Sequence, residues 1–289
     1  MARPAQLTLR KALLGVPLAF VTVFLVLPLA LTVVISFWKR VGFHIRPDFS
    51  FLSYASFLGG LRVQVLERSL IVGAEVTVIG LLVAYPIAWF LAMRTSPRAT
   101  RVALMLFTIP FLVNYVIRTF SWSYLLSRTG PINSLLIAIG ATNTPLDWLL
   151  YSDFAVLIGL LTSYVPFMIF PLWLALSGID RQLIQASWLL GANPVRTFFH
   201  VTLPLSMPGV FAAIIFGFVG SFGDSTVPLI LGGPGYQLIG NQITSTLDVL
   251  NYPLAAAMST VVIAAMLVLV GLWFRLFDPR SFLGKALKK

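Results

Sequence analysis

Residues 180–208, DRQLIQASWLLGANPVRTFFHVTLPLSMP, predict two short helices joined by a tight turn. Asp180 is a good N-cap, because its carboxylate can accept hydrogen bonds from the free amides of the next turn. Gly191 suits the position just after a helix C-terminus, where the backbone turns left-handed. Asn193 and Pro194 then favour a turn in which proline opens a second helix. The segment therefore predicts a compact helix–turn–helix.

Long apolar stretches flank this segment and continue through most of the chain. About 20 consecutive apolar residues in a helix cross the hydrocarbon core of a bilayer. Six such stretches occur, at about residues 13–38, 69–93, 102–126, 153–176, 206–231 and 254–277. We therefore expect an all-α, polytopic bundle of six membrane spans, forming a single domain over residues 1–289. The helix–turn–helix falls in the loop at about residues 178–205, between spans four and five.

Prolines occur within or at the ends of several predicted spans, at Pro86, Pro110, Pro166, Pro171, Pro208 and Pro228. Proline is commoner in membrane helices than in soluble ones, so a single proline carries little weight. Together with the frequent glycines, these prolines predict broken or kinked helices, as a moving pathway requires.

The composition excludes most other classes of protein. Apolar residues make up 58% of the chain and charged residues only 10%, against about 25% charged residues in soluble domains. This balance excludes an ordinary soluble protein and a disordered one. Because the chain has no cysteine and two histidines, it offers neither a disulfide framework nor a histidine-rich metal centre. The net charge of +11 falls in clusters between apolar runs, which indicates a lipid bilayer rather than nucleic acid.

The distribution of Lys and Arg predicts the orientation of the spans. The two termini and the second and fourth loops are basic, with Arg3, Arg10, Lys11, Arg94, Arg98, Arg101, Arg181, Arg196, Arg280, Lys285, Lys288 and Lys289. The third loop has only Arg128, and the fifth, from Gly232 to Pro253, has neither Lys nor Arg. Because basic loops face the cytoplasm, both termini and the loop 178–205 are expected to be cytoplasmic. The first loop disagrees, since its basic residues lie on the expected outer side, at Lys39, Arg40, Arg46, Arg62 and Arg68.

The helix–turn–helix has a specific spacing of small and turn-forming residues. It runs Gln185-Ala186-Ser187, three residues, Gly191, nine residues, Val201, one residue and then Leu203-Pro204. This spacing resembles the EAA loop of ATP-binding cassette (ABC) importer permeases, the MetI-like type I family. Such a loop offers a soluble ATPase a rigid projection to push. Its small residues allow close approach, its glycine permits the sharp turn, and its Leu-Pro pair connects the loop to span five. The second short helix is expected to end before this proline.

The resemblance implies that ATPase-coupling contacts lie on Gln185, Ala186, Ser187, Gly191, Ala192, Leu203 and Pro204. Two positions depart from the family pattern. Gln185 replaces the glutamate, and Ser187 replaces the second alanine. Both changes preserve size and helix compatibility, but Gln185 lacks the charge that a salt bridge would need.

Three further stretches narrow the resemblance. They are IPFLVNYVIRTFSW from Ile109, YVPFMIFPLW from Tyr164 and SFGDSTVPLILGGPGYQLIGN from Ser221. They resemble the polyamine branch of the family, the PotB-like spermidine/putrescine permeases. The resemblance implies one membrane subunit, usually in a heterodimer with a second permease, in the bacterial cytoplasmic (inner) membrane. It also implies two copies of a cytoplasmic ABC ATPase that use ATP and Mg, an external solute-binding protein, and no cofactor bound by this chain.

Three ionisable residues lie inside predicted spans: Glu75, Arg118 and Asp224. Each costs ~2.5–3.5 kcal/mol near the bilayer centre, so each is expected to face the bundle interior and to have a partner. The helical rise of ~1.5 Å per residue places all three at roughly 9–12 Å from the outer ends of their spans. Two acids and one base in a single layer favour a cation arriving from outside.

The residues around this layer give a specific hypothesis for substrate binding. Arg118, backed by Asn114 one turn earlier, holds one carboxylate as a structural pair. The other carboxylate, for which Asp224 is preferred, meets the ammonium groups of the substrate. Aromatic residues add cation–π contacts, and the candidates are Tyr115, Trp122 and Phe222. In the alternative, all three charges only hold helices together.

The outer segment from Leu231 to Gly235 is too rich in glycine and proline for regular structure. It predicts a turn or re-entrant connection. Two interpretations remain open for it. It contributes to the docking surface for a binding protein or to a gate, or it is an inert turn.

Other functions fit the sequence less well. The chain lacks the G-x-x-x-x-G-K-[ST] nucleotide motif. Transport is therefore driven by a partner subunit or by an ion gradient, or it is passive. A secondary transporter, the main alternative, normally shows inverted repeats, and the sequence has no convincing internal repeat. A channel shows a selectivity-filter signature, which the sequence also lacks. An intramembrane enzyme needs a catalytic constellation, and neither His44 nor His200 lies in a predicted span. Related importers move opines, other amines, iron chelates or thiamine-like cations, and Arg118 is equally suited to an anionic group.

Overall fold

The computed structural model describes residues 15–42 and 44–276. The described chain forms two compact units, one of residues 15–63 with 243–273 and the other of residues 64–242 with 274–276. The chain passes from one unit to the other within three helices: α3 (Leu61–Met93), α11 (Ile239–Asp248) and α12 (Tyr252–Leu276). The basic residues predicted for the two termini lie outside the described residues, as do the start of predicted span one and the end of span six. The single domain over the whole chain stays a prediction.

The first unit begins with a long apolar helix and a small hairpin. Helix α1 spans Gly15–Ser36 and includes a π-helical turn. Two antiparallel strands follow, β1 (Lys39–Val41) and β2 (His44–Arg46), with Lys39 opposite Arg46. The basic first loop is therefore folded, which its sequence pattern did not predict.

An aromatic cluster of Phe37, Phe49, Phe51 and Tyr54 holds the rest of this loop together. The ring of Phe37 stacks on Phe49 with centroids 5.0 Å apart, and Phe51 meets it edge-on at 5.5 Å. Helix α2 (Leu52–Leu58) is tied to the end of α1 by a hydrogen bond of 2.6 Å between the hydroxyls of Ser36 and Tyr54. Most of the last described helix, α12 (Tyr252–Leu276), belongs to this unit.

The second unit is built around two long helices that pack against each other, at residues 153–177 and 194–222. Its described helices are α3, α4 (Pro97–Leu112), α5 (Tyr115–Leu126), α6 (Pro131–Ala138), α7 (Asp153–Ser177), α8 (Arg181–Leu189), α9 (Pro194–Phe222), α10 (Thr226–Leu231) and the start of α11.

Small residues allow the long helices of this unit to approach closely. A Cβ added to Gly209 of α9 would lie 2.5 Å from the Cβ of Ala175 in α7. The fully buried Met168 of α7 packs against Gly80 of α3 and Gly217 of α9, where an added Cβ would come within 3.0 Å of its sulfur. Packing of backbones over small residues is typical of membrane helices.

Five described helices are long and apolar enough to cross a membrane: α1, α3, α7, α9 and α12. A sixth span requires the pair Pro97–Leu112 and Tyr115–Ala138, which is bent by 92°. The all-α class and the count of up to six spans are therefore confirmed, and the third predicted span, at residues 102–126, is divided between two helices. The chain breaks between α4 and α5, where Val113 is extended and Asn114 caps the new helix. Such breaks were predicted from the prolines and glycines, although not their positions.

Predicted span five also differs from the structure. The helix expected to end before Pro204 instead continues as α9 to Phe222. A π-helical turn, Phe198–Thr202, lies just before that proline, and Leu203 N–H bonds to the Phe198 carbonyl. Because proline lacks an N–H and clashes with the carbonyl four residues earlier, the wider turn lets the helix pass through it. The predicted apolar run to Leu231 is interrupted at Gly223–Ser225 and resumes as the short α10.

Candidate functional site

The first half of the helix–turn–helix is stabilised by local hydrogen bonds at both ends of α8. Asp180 Oδ1 accepts from the amide of Gln182 at 2.9 Å, as expected of an N-cap. Gly191 has φ +81°. Its amide bonds to the Trp188 carbonyl at 2.9 Å, and the amide of Ala192 bonds to the Ser187 carbonyl at 3.0 Å. These paired bonds form a Schellman motif, so the predicted role of Gly191 as the residue after the helix is confirmed.

The second half of the motif is the first turn of α9. Asn193 Oδ1 accepts from the Arg196 amide at 2.8 Å, and Pro194 is the first helical residue, as the sequence predicted. The Ser187 hydroxyl donates to the Ile184 carbonyl at 2.7 Å, so the buried Thr197 hydroxyl is the donor in its 2.8 Å bond to Ser187. The departure from alanine at this position therefore adds a hydrogen bond between the two helices.

The motif presents an apolar surface to its surroundings. Leu189 and Leu190 are 89% and 88% exposed, and Val195 and Trp188 are more than half exposed. Gln185 and Ala186 are exposed on the same helix, whereas Leu203 and Pro204 lie inside continuous α9 rather than at a junction. Exposed apolar patches mark interaction surfaces, so this projection is suited to binding a protein.

Asp224 lies in the break between α9 and α10 and is 6% exposed. Its Oδ1 accepts from the amides of Thr226 and Val227 at 2.9 and 3.0 Å, which caps α10. Its Oδ2 accepts from the hydroxyl of Tyr164 at 2.9 Å and from the hydroxyl of Tyr115. Each carboxylate oxygen therefore has two donors, as a buried carboxylate requires. The arrangement joins α5, α7 and the break in one polar cluster.

A cavity of about 670 Å³ lies beside this cluster, next to the break between α4 and α5. Tyr115 and Tyr164 line it together with Arg118 and the rings of Phe111 and Phe167. The same tyrosines thus bind Asp224 through their hydroxyls and face the cavity. The predicted residues Asn114, Tyr115, Arg118 and Asp224 are accordingly brought together by the structure.

Arg118 reaches back across the helix break. Its Nη1 donates to the carbonyl of Pro110 at 2.8 Å, and its guanidinium carbon lies 5.2 Å from the ring centroid of Tyr115. The Asn114 side chain caps α5 by accepting from Val116 N–H at 2.9 Å. The predicted pair of Arg118 with a carboxylate is therefore wrong, because its guanidinium binds a carbonyl and a ring, and among the described residues Arg118 forms no ion pair.

The remaining predicted site residues are placed differently from one another. Glu75 is exposed on α3, so the expectation that it faces the interior is wrong. The buried residues of α3 around it, Val72 and Val76 among them, lie on another side of the helix. Phe222 is 1% exposed and stacks on Phe218 at 5.8 Å, so it is a core residue rather than a cation contact. Trp122 is half-buried against the core near α7.

The glycine-rich segment after α10 is a folded turn. Tyr236 and Leu238 are buried in the core, and the Asn241 side chain bonds to the backbone of both residues, at 2.8 and 2.7 Å. A Cβ on Gly240 would lie 2.4 Å from the Asp224 carbonyl oxygen, so α11 begins directly against the break. The predicted turn or re-entrant connection is thus a hairpin that returns to Asp224. Its role in docking or gating stays a prediction.

A second polar cluster anchors this hairpin to the helices. The Tyr236 hydroxyl donates to Asp153 Oδ1 at 2.8 Å, and Arg68 binds the same oxygen at 2.7 Å. The guanidinium of Arg68 also lies 4.1 Å from the Tyr236 ring centroid. Burial, followed by the hydrogen bond to Asp153, raises the pKa of the Tyr236 phenol, so this group remains a donor at neutral pH. Sequence reasoning missed this cluster, since its members lie far apart in the chain and near predicted span ends.

Comparison with known proteins decides the family. The family described as "Binding-protein-dependent transport system inner membrane component" matches residues 77–282. The chain belongs to this family. It is therefore a multi-pass inner-membrane permease subunit of an ABC importer, as its helix–turn–helix predicted.

Relatives within the family include polyamine permeases. The spermidine/putrescine transport system permease protein PotB of Haemophilus influenzae is 32% identical over 269 residues, covering 92% of this chain and 93% of the relative. PotB of Escherichia coli K12 is 32% identical, covering 88% of this chain and 93% of the relative. The inner membrane ABC transporter permease protein YdcU of the same strain is 30% identical over 75% and 72% of the two chains. These relatives confirm the similarity to PotB-like permeases that the three quoted stretches indicated.

Solved structures agree on the fold. A bacterial ABC transporter involved in alginate import aligns with a TM-score of 0.67, covering 94% of this chain and 95% of that one at 16% identity. The same kind of transporter with an alginate pentasaccharide-bound periplasmic protein aligns at 0.71, covering 91% and 92%, also at 16% identity. At this identity the likeness concerns the fold, which is that of an importer permease.

Proposed function

We propose that this chain forms half of the translocation pathway of an ATP-driven importer for polyamines such as spermidine and putrescine. The PotB relatives support this substrate class, because they align over about nine tenths of both chains. The structural observation that carries the proposal is the cavity beside α4 and α5. This cavity already contains a cation, the guanidinium of Arg118, between the Pro110 carbonyl and the Tyr115 ring.

The chemistry of the cavity favours organic cations. Helix α4 ends at Leu112, so its last carbonyls lack helical partners and carry the negative end of the helix dipole. Tyrosine rings attract an ammonium group by ~0.5–2 kcal/mol, depending on desolvation. An alkylammonium group can use the same carbonyl and the same ring face as the guanidinium of Arg118.

In this proposal Asp224 acts through the tyrosines. All four of its hydrogen-bond donors come from the protein, two amides and two phenols, so the carboxylate positions Tyr115 and Tyr164. Its negative charge also favours a cation in the neighbouring cavity. Glu75, exposed on α3, is available to the pathway completed by a second permease.

Energy is supplied by partner subunits in this proposal. The exposed apolar residues of α8 and its turn fit a groove on a cytoplasmic ABC ATPase, of which two copies hydrolyse ATP with Mg. The polar residue Gln185 lies on the same exposed helix. A second permease and an external solute-binding protein complete the importer, with both termini of this chain in the cytoplasm. A periplasmic protein bound to a transporter of the same fold supports the last partner.

The experiment that tests the proposal is uptake by the reconstituted complex. The tagged chain is purified with its co-purifying subunits, placed in proteoliposomes, and supplied with its binding protein and labelled spermidine or putrescine. We expect ATP hydrolysis and uptake to rise together when the binding protein is loaded. If an opine, another amine or an iron chelate stimulates ATP hydrolysis instead, that compound replaces polyamines as the proposed substrate. Uptake driven by an ion gradient without ATPase would favour a secondary transporter.

A further inference from the structure

A second, separate groove lies where the end of α3, the start of α4 and the end of α7 meet. Its volume is about 400 Å³, and all of it belongs to the second unit. Arg101 and Leu104 of α4 line it, with Trp173 of α7 and Arg181, the first residue of α8. It lies at the end of α7 that leads into the helix–turn–helix.

The groove is basic at one end and apolar at the other. On α4, Leu104 follows Arg101 by one turn and so lies further into the predicted span. On α7, Trp173 lies one turn before Ser177, where the helix ends, and Arg181 follows after the connection. Since α4 starts and α7 ends here, both helices place arginine outermost and the apolar side chain towards the membrane. A phospholipid has the same order of charge and hydrocarbon.

The arginines of the groove are its available donors. The hydroxyls of Thr95 and Thr100 lie 2.6 Å from each other and 2.8 and 3.0 Å from the Leu91 carbonyl oxygen, so their two protons are used within this group. Among the described residues, Arg181 donates to the Ala92 carbonyl at 3.4 Å, and neither Arg101 nor Arg181 takes part in an ion pair. No carboxylate is found among the described side chains that line the groove. The groove therefore carries uncompensated positive charge.

We propose that this groove binds the phosphate headgroup of an anionic phospholipid from the leaflet on the side of α8. The guanidinium groups of Arg101 and Arg181 bind the phosphate through charge-assisted hydrogen bonds, and an acyl chain lies along Leu104 and Trp173. Because Arg181 opens α8, the bound lipid holds the start of the ATPase-facing projection against α4. This inference concerns lipid binding and is independent of the transported substrate.

Native mass spectrometry of the purified complex tests the proposal. The complex is delipidated in mild detergent and titrated with phosphatidylglycerol or phosphatidylcholine of identical acyl chains. We expect retained phosphatidylglycerol adducts and about 30-fold weaker binding in the double variant R101Q/R181Q, from ~1 kcal/mol per basic residue near an anionic surface. The double variant R101K/R181K is expected to retain most of the affinity, and Arg128→Gln, at the distant Asp147 pair, to leave it unchanged.

Two further comparisons separate a bound phospholipid from a free phosphate ion and from a loss of folding. Inorganic phosphate at millimolar concentration is expected not to displace phosphatidylglycerol, because it lacks the hydrocarbon that fills the apolar end. Equal displacement would show a free-phosphate site and overturn the lipid assignment. Equal binding of phosphatidylglycerol by wild type and R101Q/R181Q would also overturn it, as would equal binding of both lipids by wild type. A thermal melt of each variant, with R101K/R181K as the folded reference, distinguishes lost binding from lost folding.

Discussion

The Tyr164 hydroxyl donates a 2.9 Å hydrogen bond to Asp224 Oδ2, joining the middle of α7 to the break between α9 and α10. The two residues are 60 positions apart in the chain. Because Asp224 also caps α10, the position of the tyrosine ring in the cavity and the geometry of the helix break depend on one carboxylate.

Replacing Tyr164 by Phe keeps the ring and removes this hydrogen bond. A buried carboxylate that loses one donor costs ~1–3 kcal/mol of stability. We expect the thermal midpoint of the purified complex to fall by several degrees while assembly persists. Tyr124→Phe is the matched control, since Tyr124 is 65% exposed. Equal melting of both variants would contradict the proposed contribution of the Tyr164 bond.

The variant Asp224→Asn keeps the size of the side chain and the capping oxygen but removes the charge. Its amide nitrogen cannot accept hydrogen bonds from the two phenols, so both tyrosines lose their common acceptor. We expect polyamine uptake to fall at least tenfold at equal protein level, measured with labelled spermidine in proteoliposomes. Asp147→Asn is the control, because the Asp147 side chain is 70% exposed and pairs with Arg128, away from Asp224. Unchanged uptake and concentration dependence in Asp224→Asn would remove Asp224 from the pathway.

The variant Arg118→Gln removes the cation that occupies the cavity, while glutamine retains an N–H donor. If the substrate ammonium uses the Pro110 carbonyl and the Tyr115 ring, it no longer competes with a tethered guanidinium. We expect the spermidine concentration for half-maximal uptake to fall, by about tenfold for the ~1.4 kcal/mol of one competing contact. Arg128→Gln serves as the control. A higher concentration in Arg118→Gln than in the control would show that Arg118 assists binding instead.

Gly191→Ala tests the turn of the helix–turn–helix. Nothing lies within 4 Å of a Cβ at Gly191, but its φ of +81° strains any L side chain. The cost of ~1–2 kcal/mol falls on the Schellman turn. We expect ATP hydrolysis to lose most of its stimulation by loaded binding protein, while the complex still assembles and its thermal midpoint falls by only a few degrees. Gly178→Ala, at a φ of −81° with ordinary contacts, is expected to behave as wild type.

Gly240→Ala tests the return of the hairpin to Asp224. An added Cβ would lie 2.4 Å from the Asp224 carbonyl oxygen and 2.7 Å from that of Gly223, both backbone atoms. Because backbone cannot move aside cheaply, we expect the loss of more than ~2 kcal/mol of stability, seen as poor yield and a lower thermal midpoint. Gly271→Ala, with open space around it, is the control. A normal yield of Gly240→Ala would mean that α11 is not packed against the break.

Local features of the chain were predictable from sequence. The cap at Asp180, the left-handed Gly191 and the opening Pro194 were all expected where the structure has them. These features depend on residues within one turn of each other, so the linear order of residues contains the whole interaction. The apolar runs likewise predicted the membrane helices, because hydropathy over about 20 residues is a sum that needs no partner.

The interruptions of those helices were harder to predict. The bend of 92° at Val113–Asn114 and the break at Gly223–Ser225 lie inside runs that remain apolar. Their polar groups are satisfied across the breaks, by phenols 60 and 109 positions from Asp224 and by a guanidinium 8 positions after Pro110. Hydropathy averages cannot register such partners. The same limit explains the unpredicted β1–β2 hairpin, which depends on cross-strand pairing.

The sequence by itself determined the class of this protein, the length and number of its apolar runs, the helix–turn–helix and the family. Each of these follows from local order or from summed hydropathy. The tertiary structure alone decided which buried polar groups meet. Tyr115 and Asp224 are 109 residues apart, yet they form one cluster. Glu75, expected in the same layer, is exposed on α3, and Arg118 binds the Pro110 carbonyl instead of a carboxylate. Helix packing sets those distances, because a buried polar group takes the partner that packing brings within reach.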